Sequence, residues 1–513
     1  MKPGLSTTAR IDSAPRVDAD YVFHELTRSI CPECRRVIDA HILLRDGKVY
    51  MRKRCPEHGL FEALVYGDAE AYTSQTRLNR PGTAPLEYTT GIRHGCPHDC
   101  GLCPDHQQHV CVGIIEVNSA CDMDCPLCFA DAGSGFNLTL GEVEGILDRL
   151  VATEGTPEVV QFSGGEPSIH PEIIPMLQAA MARGIPYVML NTNGRRIARD
   201  DAFLAELAAI QTGIYFQFDG FERDTYRILR GEPDILDDKL QALDRLAEAA
   251  CPVVLVAAVE REVNEHEVGR IVRFGLEHPA VLGVTFQPAF HSGRYGRHDP
   301  LRRVTNPDVL RWIEEQTQGL FTVSDFVPVP CCFPTCNSVT YAYVEGDTVL
   351  PLTRLLDVDD YLDHLANRVV LDVDLRSALE GLWSSSAVPG SDKVRQDFAA
   401  SCSACGLDVD LALLTGRLFV VMLQDFMDPW TFNQKNVMKC CKAILLPDGK
   451  QIPFCAYNSV GYREQARSQL ARRQRERARA QARGAPFQPA PLSFSFDASP
   501  PACSFDASAP SAT

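Results

Sequence analysis

The stretch GIIEVNSACDMDCPLCF, residues 113–129, runs from a short apolar strand directly into three closely spaced cysteines. Cys121, Cys125 and Cys128 follow the spacing C-x3-C-x2-C, and three thiolates so spaced fit three corners of a [4Fe–4S] cube. No fourth cysteine lies inside the run, so the fourth iron is free to bind a substrate or cofactor. A position just past a barrel strand is where parallel α/β barrels carry their chemistry.

Beyond this stretch the chain alternates short β-branched runs with amphipathic helices. The helical stretches, such as TLGEVEGILDRLVATEG, place apolar residues at i, i+3 and i+4. This alternation predicts parallel strands joined by right-handed crossovers. We therefore predict an α/β fold with a partial (βα)6 barrel, shorter than the ~250 residues of an eight-unit barrel. The six predicted strands are 113–118, 159–163, 187–191, 213–218, 252–259 and 281–287.

The bulk composition indicates a cytoplasmic protein with several metal sites. The chain has 513 residues, 20 cysteines and a formal net charge of −17. It lacks an apolar run of about 18 residues, and its N-terminus lacks the apolar segment of a signal peptide. In a reducing compartment, clustered cysteines indicate metal ligation rather than disulfides. The negative charge argues against a nucleic-acid binder, because phosphate contacts need a basic face.

Six segments follow from the distribution of cysteines, strands and polar residues. The turn Asp46-Gly47 predicts a β-hairpin in the second of them. The segments are a disordered tail (1–20), a small metal-ribbon domain (21–75), an auxiliary-cluster segment (76–112), the barrel (113–300), a cysteine-rich C-terminal domain (301–460), and an Arg-rich segment with a disordered tail (461–513).

The cysteines just before the barrel predict an auxiliary [4Fe–4S] cluster. Cys96, Cys100, Cys103 and Cys111 follow the spacing C-x3-C-x2-C-x7-C, which places four ligands within a short segment. Several histidines lie nearby, so a zinc site is the alternative.

The N-terminal unit carries a spacing typical of one tetrahedral ion. Cys31, Cys34, Cys55 and His58 form C-x2-C-x20-C-x2-H, as in zinc ribbons and rubredoxin-like sites. The spacing does not separate a mononuclear iron from a zinc ion.

Eight further cysteines lie in the C-terminal region, two pairs of them adjacent in sequence. Adjacent cysteines rarely ligate the same cluster, so each CC pair is expected to contribute one thiolate. Our prediction takes Cys332, Cys336, Cys441 and Cys455 as ligands of a second auxiliary cluster, with the choice within each pair left open. Cys402 and Cys405 have no predicted role.

Polar and glycine-rich turns follow several of the predicted strands. The segment FSGGEP after the second strand contains Gly164, Gly165 and Glu166. Paired glycines let the backbone approach a ligand closely, and a carboxylate there can accept from an amino group. NTNG (191–194) and QFDG (217–220) follow the third and fourth strands, and the sixth ends in Gln287-Pro288.

With these motifs in this order, residues 113–290 resemble the core of a radical S-adenosylmethionine (SAM) enzyme. The resemblance implies that the three cysteines hold the SAM-binding cluster, that Phe129 lies over the adenine side, and that the turn Gly164-Gly165-Glu166 meets the SAM amino group. It also makes Asn193, Gln217 and Gln287 SAM-pocket residues. The implied chemistry is reductive cleavage of SAM to a 5′-deoxyadenosyl radical, which abstracts hydrogen from an unactivated carbon.

Longer stretches resemble the tetraether lipid synthase family and its close relatives, first described as radical SAM methylases. The match extends over about residues 22–464 and includes HGCPHDCGLCPDHQQHVC, PVPCCFPTC and MKCCKAILLPDGKQIPFCAYNSVGYRE. This resemblance implies a SAM-binding cluster, auxiliary iron–sulfur clusters and a rubredoxin-like site. It also implies formation of a C–C bond between lipid hydrocarbon chains.

Two other functions remain open from the sequence. One is radical methylation of a small molecule such as a pterin, and the other is a non-catalytic carrier with several clusters. The expected partners are a lipid or small-molecule substrate and an electron donor such as ferredoxin or flavodoxin. The Arg-rich stretch 462–484 could attract anionic headgroups at a membrane surface, but few large apolar residues accompany its arginines. A solvated or disordered tail is the favoured interpretation of that stretch.

Overall fold

The computed structural model describes residues 18–79, 82–133, 135–329, 332–355 and 417–484, together with residues 487, 492 and 494. The predicted disorder of residues 1–17 and of the last residues lies outside this part of the chain. So do Cys331, Cys402 and Cys405.

The N-terminal unit is a four-stranded antiparallel sheet with sequential strand order. Asp46 and Gly47 both have positive φ at the turn between its second and third strands, which confirms the predicted hairpin. A short helix covers one face of the sheet, around Tyr66 and Tyr72. The elements are β1 (Val22–Ile30), β2 (Val37–Arg45), β3 (Lys48–Cys55), β4 (Gly59–Tyr66) and α1 (Ala69–Thr76).

Six parallel strands in consecutive order form the central sheet, as the strand–helix alternation predicts. The first of them is buried along its whole length, which explains why these strands are apolar rather than alternating. The strands are β5 (Val112–Asn118), β6 (Val159–Gly164), β7 (Tyr187–Thr192), β8 (Gly213–Gln217), β9 (Val253–Val259) and β10 (Val281–Pro288).

Helices connect these strands and pack their apolar sides against the sheet. Within the described ranges, no helix has the length and apolar character needed to cross a membrane. The helices are α2 (Leu140–Glu154), α3 (Ile173–Met181), α4 (Arg195–Arg199), α5 (Asp201–Ile210), α6 (Arg223–Arg230), α7 (Ile235–Glu248), α8 (Val268–Glu277) and α9 (Asn306–Gln316).

The C-terminal region extends the barrel sheet at both edges, which the sequence did not predict. One of its strands is parallel to β10 and another is parallel to β5, so eight parallel strands adjoin one another. The strands of this region are β11 (Val327–Pro328), β12 (Asn337–Glu345), β13 (Thr348–Pro351), β14 (Arg417–Gln424), β15 (Lys442–Leu445) and β16 (Gln451–Pro453). Its helices are α10 (Gln434–Val437), α11 (Phe454–Val460) and α12 (Tyr462–Ala482).

The Arg-rich stretch forms the helix α12, and this helix packs on the barrel where a solvated or disordered tail was expected. Arg463, Ala466 and Leu470 are buried on one side of the helix. Farther along, Arg473 and Arg477 both pair with Glu142 at the start of α2. These arginines therefore attach the helix to the barrel.

The N-terminal unit is packed against the barrel. Lys53 is buried and donates hydrogen bonds to Ser29 Oγ at 3.0 Å and to the Pro429 carbonyl at 2.7 Å. Thr27 Oγ1 donates to Asn433 Oδ1 at 2.7 Å. These bonds connect the ribbon to the segment that follows β14.

Candidate functional site

The cysteine triplet lies in the loop after β5, and all three cysteines line a cavity of about 250 Å³. Backbone N–H groups of Met123 and Ala132 donate to Cys121 Sγ and Cys128 Sγ, each at 3.4 Å. Burial raises the pKa of Cys121 to about 12, so a free thiol there keeps its proton at neutral pH. A bound metal would replace this proton, because a coordinating thiol is deprotonated.

The donor set fits an iron–sulfur cluster with one open corner. Among the described residues, no other cysteine lines this cavity. The three sulfur atoms of the triplet do not all lie within 4.8 Å of one another. Tetrahedral zinc would bring its sulfur ligands to about 3.8 Å apart. The wider spacing therefore suits a multi-iron cluster better than a single ion.

A buried ion pair holds the cysteine loop in place. Arg230 donates to both carboxylate oxygens of Asp219, each at 2.7 Å, and to the Leu127 carbonyl at 3.1 Å. Burial raises the pKa of the Cys125 thiol, and the positive charge of Arg230 opposes this rise. Neither member of the ion pair was predicted as a site residue, because Arg230 contacts the loop across 103 residues of sequence.

The glycine turn after β6 packs directly against the cysteine loop. A Cβ atom at Gly165 would lie 2.1 Å from the Ala120 carbonyl oxygen, and one at Gly164 would lie 2.3 Å from that of Asn118. Gly164 also has a φ of +142°, which side chains rarely adopt. Only glycine fits at these two positions.

Protein donors already occupy the Glu166 carboxylate. It accepts from the Ser168 N–H at 3.0 Å, Thr192 Oγ1 at 2.7 Å and the Asn193 N–H at 2.8 Å. Its side chain therefore ties the end of β6 to the end of β7. The predicted contact of this turn with the SAM amino group stays a prediction.

All seven residues predicted for the SAM pocket line the same cavity as the cysteine triplet. Two of them are held by Lys239, a buried residue of α7 that donates to the Asn193 carbonyl at 3.0 Å and to Gln217 Oε1 at 2.9 Å. Burial lowers the pKa of Lys239 to about 8. Sequence analysis missed this lysine, since it lies on a helix with an ordinary amphipathic pattern.

An aromatic cluster forms one wall of the cavity. The ring of Phe129 lies 5.9 Å from those of Phe290 and Phe454, and Phe426 lies 4.4 Å from Phe454. Two of these rings come from the C-terminal region, beside β14 and in α11. The C-terminal region thus builds part of the cavity.

Polar side chains from the strands line the inner surface of the cavity. Glu116 is paired with Arg463 and accepts from Tyr457 Oη at 3.0 Å. Most of these residues interrupt apolar strands, and that interruption is the sequence signal that could have revealed them. The other polar residues include Gln161, Ser163, Asn191, Thr285, Gln424 and Lys442.

The four predicted ligands of the N-terminal unit converge on one point. Their ligand atoms all lie within 4.8 Å of one another. Cys34 Sγ and Cys55 Sγ are 3.9 Å apart, and His58 Nδ1 lies 3.6 Å from Cys31 Sγ and 3.5 Å from Cys55 Sγ. These distances match the edges of a tetrahedron around one zinc or iron ion.

Three cysteines of the segment before the barrel lie together. Cys96, Cys100 and Cys103 line one small cleft. A hydrogen bond with the Cys96 side chain raises the pKa of Cys100, and burial and the charges of Cys96 and Cys103 add to this effect. Cys111 does not line that cleft and is contacted by Gln108 Nε2 at 3.6 Å. Its predicted place as the fourth ligand stays a prediction.

The C-terminal cysteines also come together, and Cys440 lies among them. Burial raises the pKa of Cys336, and the charges of Cys332, Cys455 and Cys440 add to that effect. The charge of Cys441 instead acts on His106, where it opposes the lowering of the histidine pKa by burial. Side chains alternate at the entry into β15, so the two neighbouring cysteines face opposite directions. The prediction named Cys441 and left the choice within the pair open, and these interactions favour Cys440.

Two family descriptions match parts of the chain. The HMPTM N-terminal zinc ribbon domain matches residues 23–67, and the radical SAM superfamily matches residues 115–275. The first range contains the convergent Cys31–His58 site, and the second contains the cysteine triplet and the glycine turn.

Known proteins resemble the chain to different extents. It is 32% identical over 480 residues to the 7,8-dihydro-6-hydroxymethylpterin dimethyltransferase of Methanocaldococcus jannaschii, covering 85% of this chain and 94% of that enzyme. It is 30% identical over 167 residues to the GTP 3′,8-cyclase of Chlorobaculum tepidum, covering 32% of this chain and 49% of that enzyme. A solved structure, Streptococcus suis SuiB bound to S-adenosylmethionine, aligns with 42% of this chain and 48% of its own at 16% identity. Its TM-score of 0.35 is too low to support an argument.

Proposed function

The chain belongs to the radical SAM family of the 7,8-dihydro-6-hydroxymethylpterin dimethyltransferase, and we propose that it likewise methylates a reduced pterin. As a radical SAM enzyme it uses SAM and a [4Fe–4S] cluster, and it carries further metal sites. The similarity to the pterin enzyme extends over nearly that enzyme's whole length. The matched zinc ribbon favours zinc over iron at the N-terminal site.

The polar inner surface of the cavity is the observation that carries this proposal. Gln161, Asn191 and Gln424 line the cavity together with the cysteine triplet. A lipid chain has no hydrogen-bonding groups, so its binding would leave these side chains unpaired at a cost of about 1–3 kcal/mol each. A pterin ring presents nitrogen and oxygen atoms that can pair with them.

The same polar side chains argue against the coupling of lipid chains that the tetraether-synthase resemblance implies. None of the relatives named above acts, by its name, on a lipid. The aromatic wall of the cavity suits the flat face of a heterocycle as well as it suits an alkyl chain. Peripheral membrane contact and a cytoplasmic location stay predictions.

The residues of the site divide the work between holding the cofactors and enclosing the substrate. With SAM, a cluster on the triplet thiolates supplies reductive cleavage and thereby the hydrogen-abstracting radical. Arg230 and Asp219 fix the cysteine loop, and the glycine turn fixes the neighbouring strand end. The wall that includes Phe129 and Phe454 gives the cavity an apolar side.

The reaction also requires an external one-electron donor. We propose a ferredoxin or a flavodoxin for this role, because both supply single electrons at low potential. The auxiliary cysteine sets at Cys96–Cys103 and Cys332–Cys455 are further places where clusters could accept electrons.

Anaerobic turnover with a defined pterin tests the proposal. The transferred methyl group must come from a second SAM molecule or from a folate-like one-carbon donor. Reconstituted protein is therefore incubated with excess SAM, a reductant and 7,8-dihydro-6-hydroxymethylpterin, with and without such a donor, and the products are separated by mass spectrometry. We expect 5′-deoxyadenosine formation that the pterin stimulates, and a pterin product heavier by one or two methylene units. SAM cleavage that lipid substrates stimulate, without any change in the pterin, would refute the proposal.

A further inference from the structure

Three side-chain amides in the cavity have weak hydrogen-bond partners, or none, among the described residues. The Oδ1 atom of Asn191 is buried, and the described residues offer it no hydrogen-bond partner. Gln161 Nε2 reaches the thioether sulfur of Met189 at 3.5 Å, and Gln424 Nε2 contacts that of Met422 at 2.8 Å. A thioether sulfur is only a weak acceptor. Gln424 Oε1 accepts from Gln287 Nε2, but at a long distance of 3.5 Å. Most of the hydrogen-bonding capacity of these amides is therefore unused.

The three amides come from separate strands that face the same cavity. Gln161 lies on β6, Asn191 on β7 and Gln424 on β14, and β14 is four places from β7 in the sheet. Gln161 precedes Gly164 by three residues, which places it roughly 10 Å farther down its strand than the glycine turn. Gln161 therefore lies deeper in the barrel than the glycine turn, whereas Asn191 is the penultimate residue of β7 and Gln424 is the last residue of β14.

The charged groups of the cavity are engaged by other protein groups. Glu116 is paired with Arg463, and three donors occupy Glu166. Lys442 Nζ donates to Asn337 Oδ1 at 3.0 Å. What the cavity still offers a ligand is consequently neutral amide groups, each of which both donates and accepts hydrogen bonds.

Resting on the proposed function, we infer that Gln161, Asn191 and Gln424 bind the pyrimidinone edge of the pterin. This edge carries an amino group, ring nitrogens and a carbonyl group side by side, and it is neutral. Neutral amides from several directions can accept from the donors of this edge and donate to its acceptors.

Ligand titration of three variants tests this inference. In Gln161→Met, Asn191→Leu and Gln424→Met, the amide is removed and the side-chain volume is nearly kept. The matched control is Gln178→Met, which changes an exposed glutamine of α3. The probe is 7,8-dihydro-6-hydroxymethylpterin, titrated anaerobically into reconstituted protein that contains SAM.

We expect each variant to raise the Kd of the pterin about tenfold or more, because each loses at least one hydrogen bond in a closed site. The Kd of SAM should rise less than that of the pterin, and the zinc content and the circular dichroism spectrum should stay at those of wild type. An analogue without the 2-amino group should bind wild type more weakly. At least one of the three variants should discriminate less between the analogue and the parent pterin.

The outcomes separate this inference from the proposed function. If wild type neither binds nor methylates the pterin, the proposed function fails and this inference fails with it. If wild type methylates the pterin but the three variants bind it as well as wild type does, only this inference is overturned. It is also overturned if the variants lose affinity for SAM as much as for the pterin, since the amides would then serve SAM.

Discussion

Two cysteine sites of this protein use similar ligands in opposite ways. In the N-terminal ribbon, Cys31, Cys34, Cys55 and His58 converge so that four ligands surround one point. In the barrel, Cys121, Cys125 and Cys128 spread along one loop and line a cavity. The first arrangement closes a coordination shell, as in structural zinc sites, whereas the second leaves a position for another ligand.

The two sites also differ in what holds them. The first cysteine turn of the ribbon is closed by its own backbone, in which Cys31 N–H donates to the Arg36 carbonyl at 2.8 Å. The barrel loop depends on distant residues instead. Leu127 N–H donates to the Leu229 carbonyl at 3.0 Å, and Arg294 N–H donates to the Cys128 carbonyl at 3.1 Å. A structural site can thus be specified locally, while the open site needs the assembled fold around it.

The largest expected effect comes from removing one thiolate of the open site. Cys125→Ser leaves two thiolates for the cluster, and no other described cysteine lines the cavity to replace the third. We expect SAM cleavage to fall to the detection limit while the zinc content stays at that of wild type. Measurement of 5′-deoxyadenosine by chromatography and of zinc by mass spectrometry checks both expectations.

Cys251→Ala is the matched control for this variant. Cys251 is a buried cysteine that lines neither the cavity nor the cleft at Cys96–Cys103. It should keep both SAM cleavage and zinc. Normal SAM cleavage by Cys125→Ser would show that the triplet does not hold the reactive cluster.

The converse effect is expected for the closed site. Cys55→Ser removes one ligand of a preformed tetrahedral set, and structural zinc contributes its binding energy to folding. We expect loss of zinc and a fall of about 5 kcal/mol or more in the unfolding free energy of the ribbon. Limited proteolysis and hydrogen exchange locate the loss, which should concentrate in residues 22–66. A variant that retains full zinc content would contradict the assignment.

The local character of the ribbon explains why sequence analysis could describe it well. Its ligands lie in two short turns, and Asp46-Gly47 marks the hairpin between them. The six central strands were also predicted to within about two residues, because each is an apolar β-branched run between polar connections.

The parts that sequence analysis missed depend on contacts between distant segments. Nothing local in RLFVVMLQ (417–424) indicates that it pairs in parallel with β10. Similarly, the choice between Cys440 and Cys441 depends on where β15 begins, which sets the direction of each side chain. The Arg-rich helix seemed solvated because the buried partner of Arg463, Glu116, lies 347 residues away.

This long-range support predicts that the open site is sensitive to α12. Arg463 pairs with Glu116 in a buried ion pair and also donates to the Ala130 carbonyl in the cysteine loop at 3.4 Å. Arg463→Met removes the closest positive charge from the buried Glu116 carboxylate, which keeps Tyr457 Oη at 3.0 Å and Arg467 at 3.8 Å. The variant should lose about 3 kcal/mol of stability. Urea unfolding measures this loss, and SAM cleavage should fall because the loop loses a contact.

A double variant provides the control. Arg463→Met with Glu116→Gln removes the uncompensated charge and should recover a large part of the lost stability. SAM cleavage should stay reduced in the double variant, since the contact with the Ala130 carbonyl is still missing. Equal stability of the single variant and wild type would rule out the supporting role of this ion pair.

The smallest effect is expected at the contact between the ribbon and the barrel. His298 lies beside Asp428 and near Trp430, and Trp430 packs on Phe61 of the ribbon. Burial lowers the pKa of His298 to about 4, and the Asp428 charge opposes this shift. The unfolded chain binds the proton near its ordinary pKa of about 6.5, so stability is present above that pH and falls as the pH decreases toward about 4. The loss should reach at most about 3 kcal/mol. In urea unfolding between about pH 7 and pH 5, the unfolding free energy of His298→Gln should depend less on pH than that of wild type. The same pH dependence in both proteins would show that this histidine does not make stability pH-dependent.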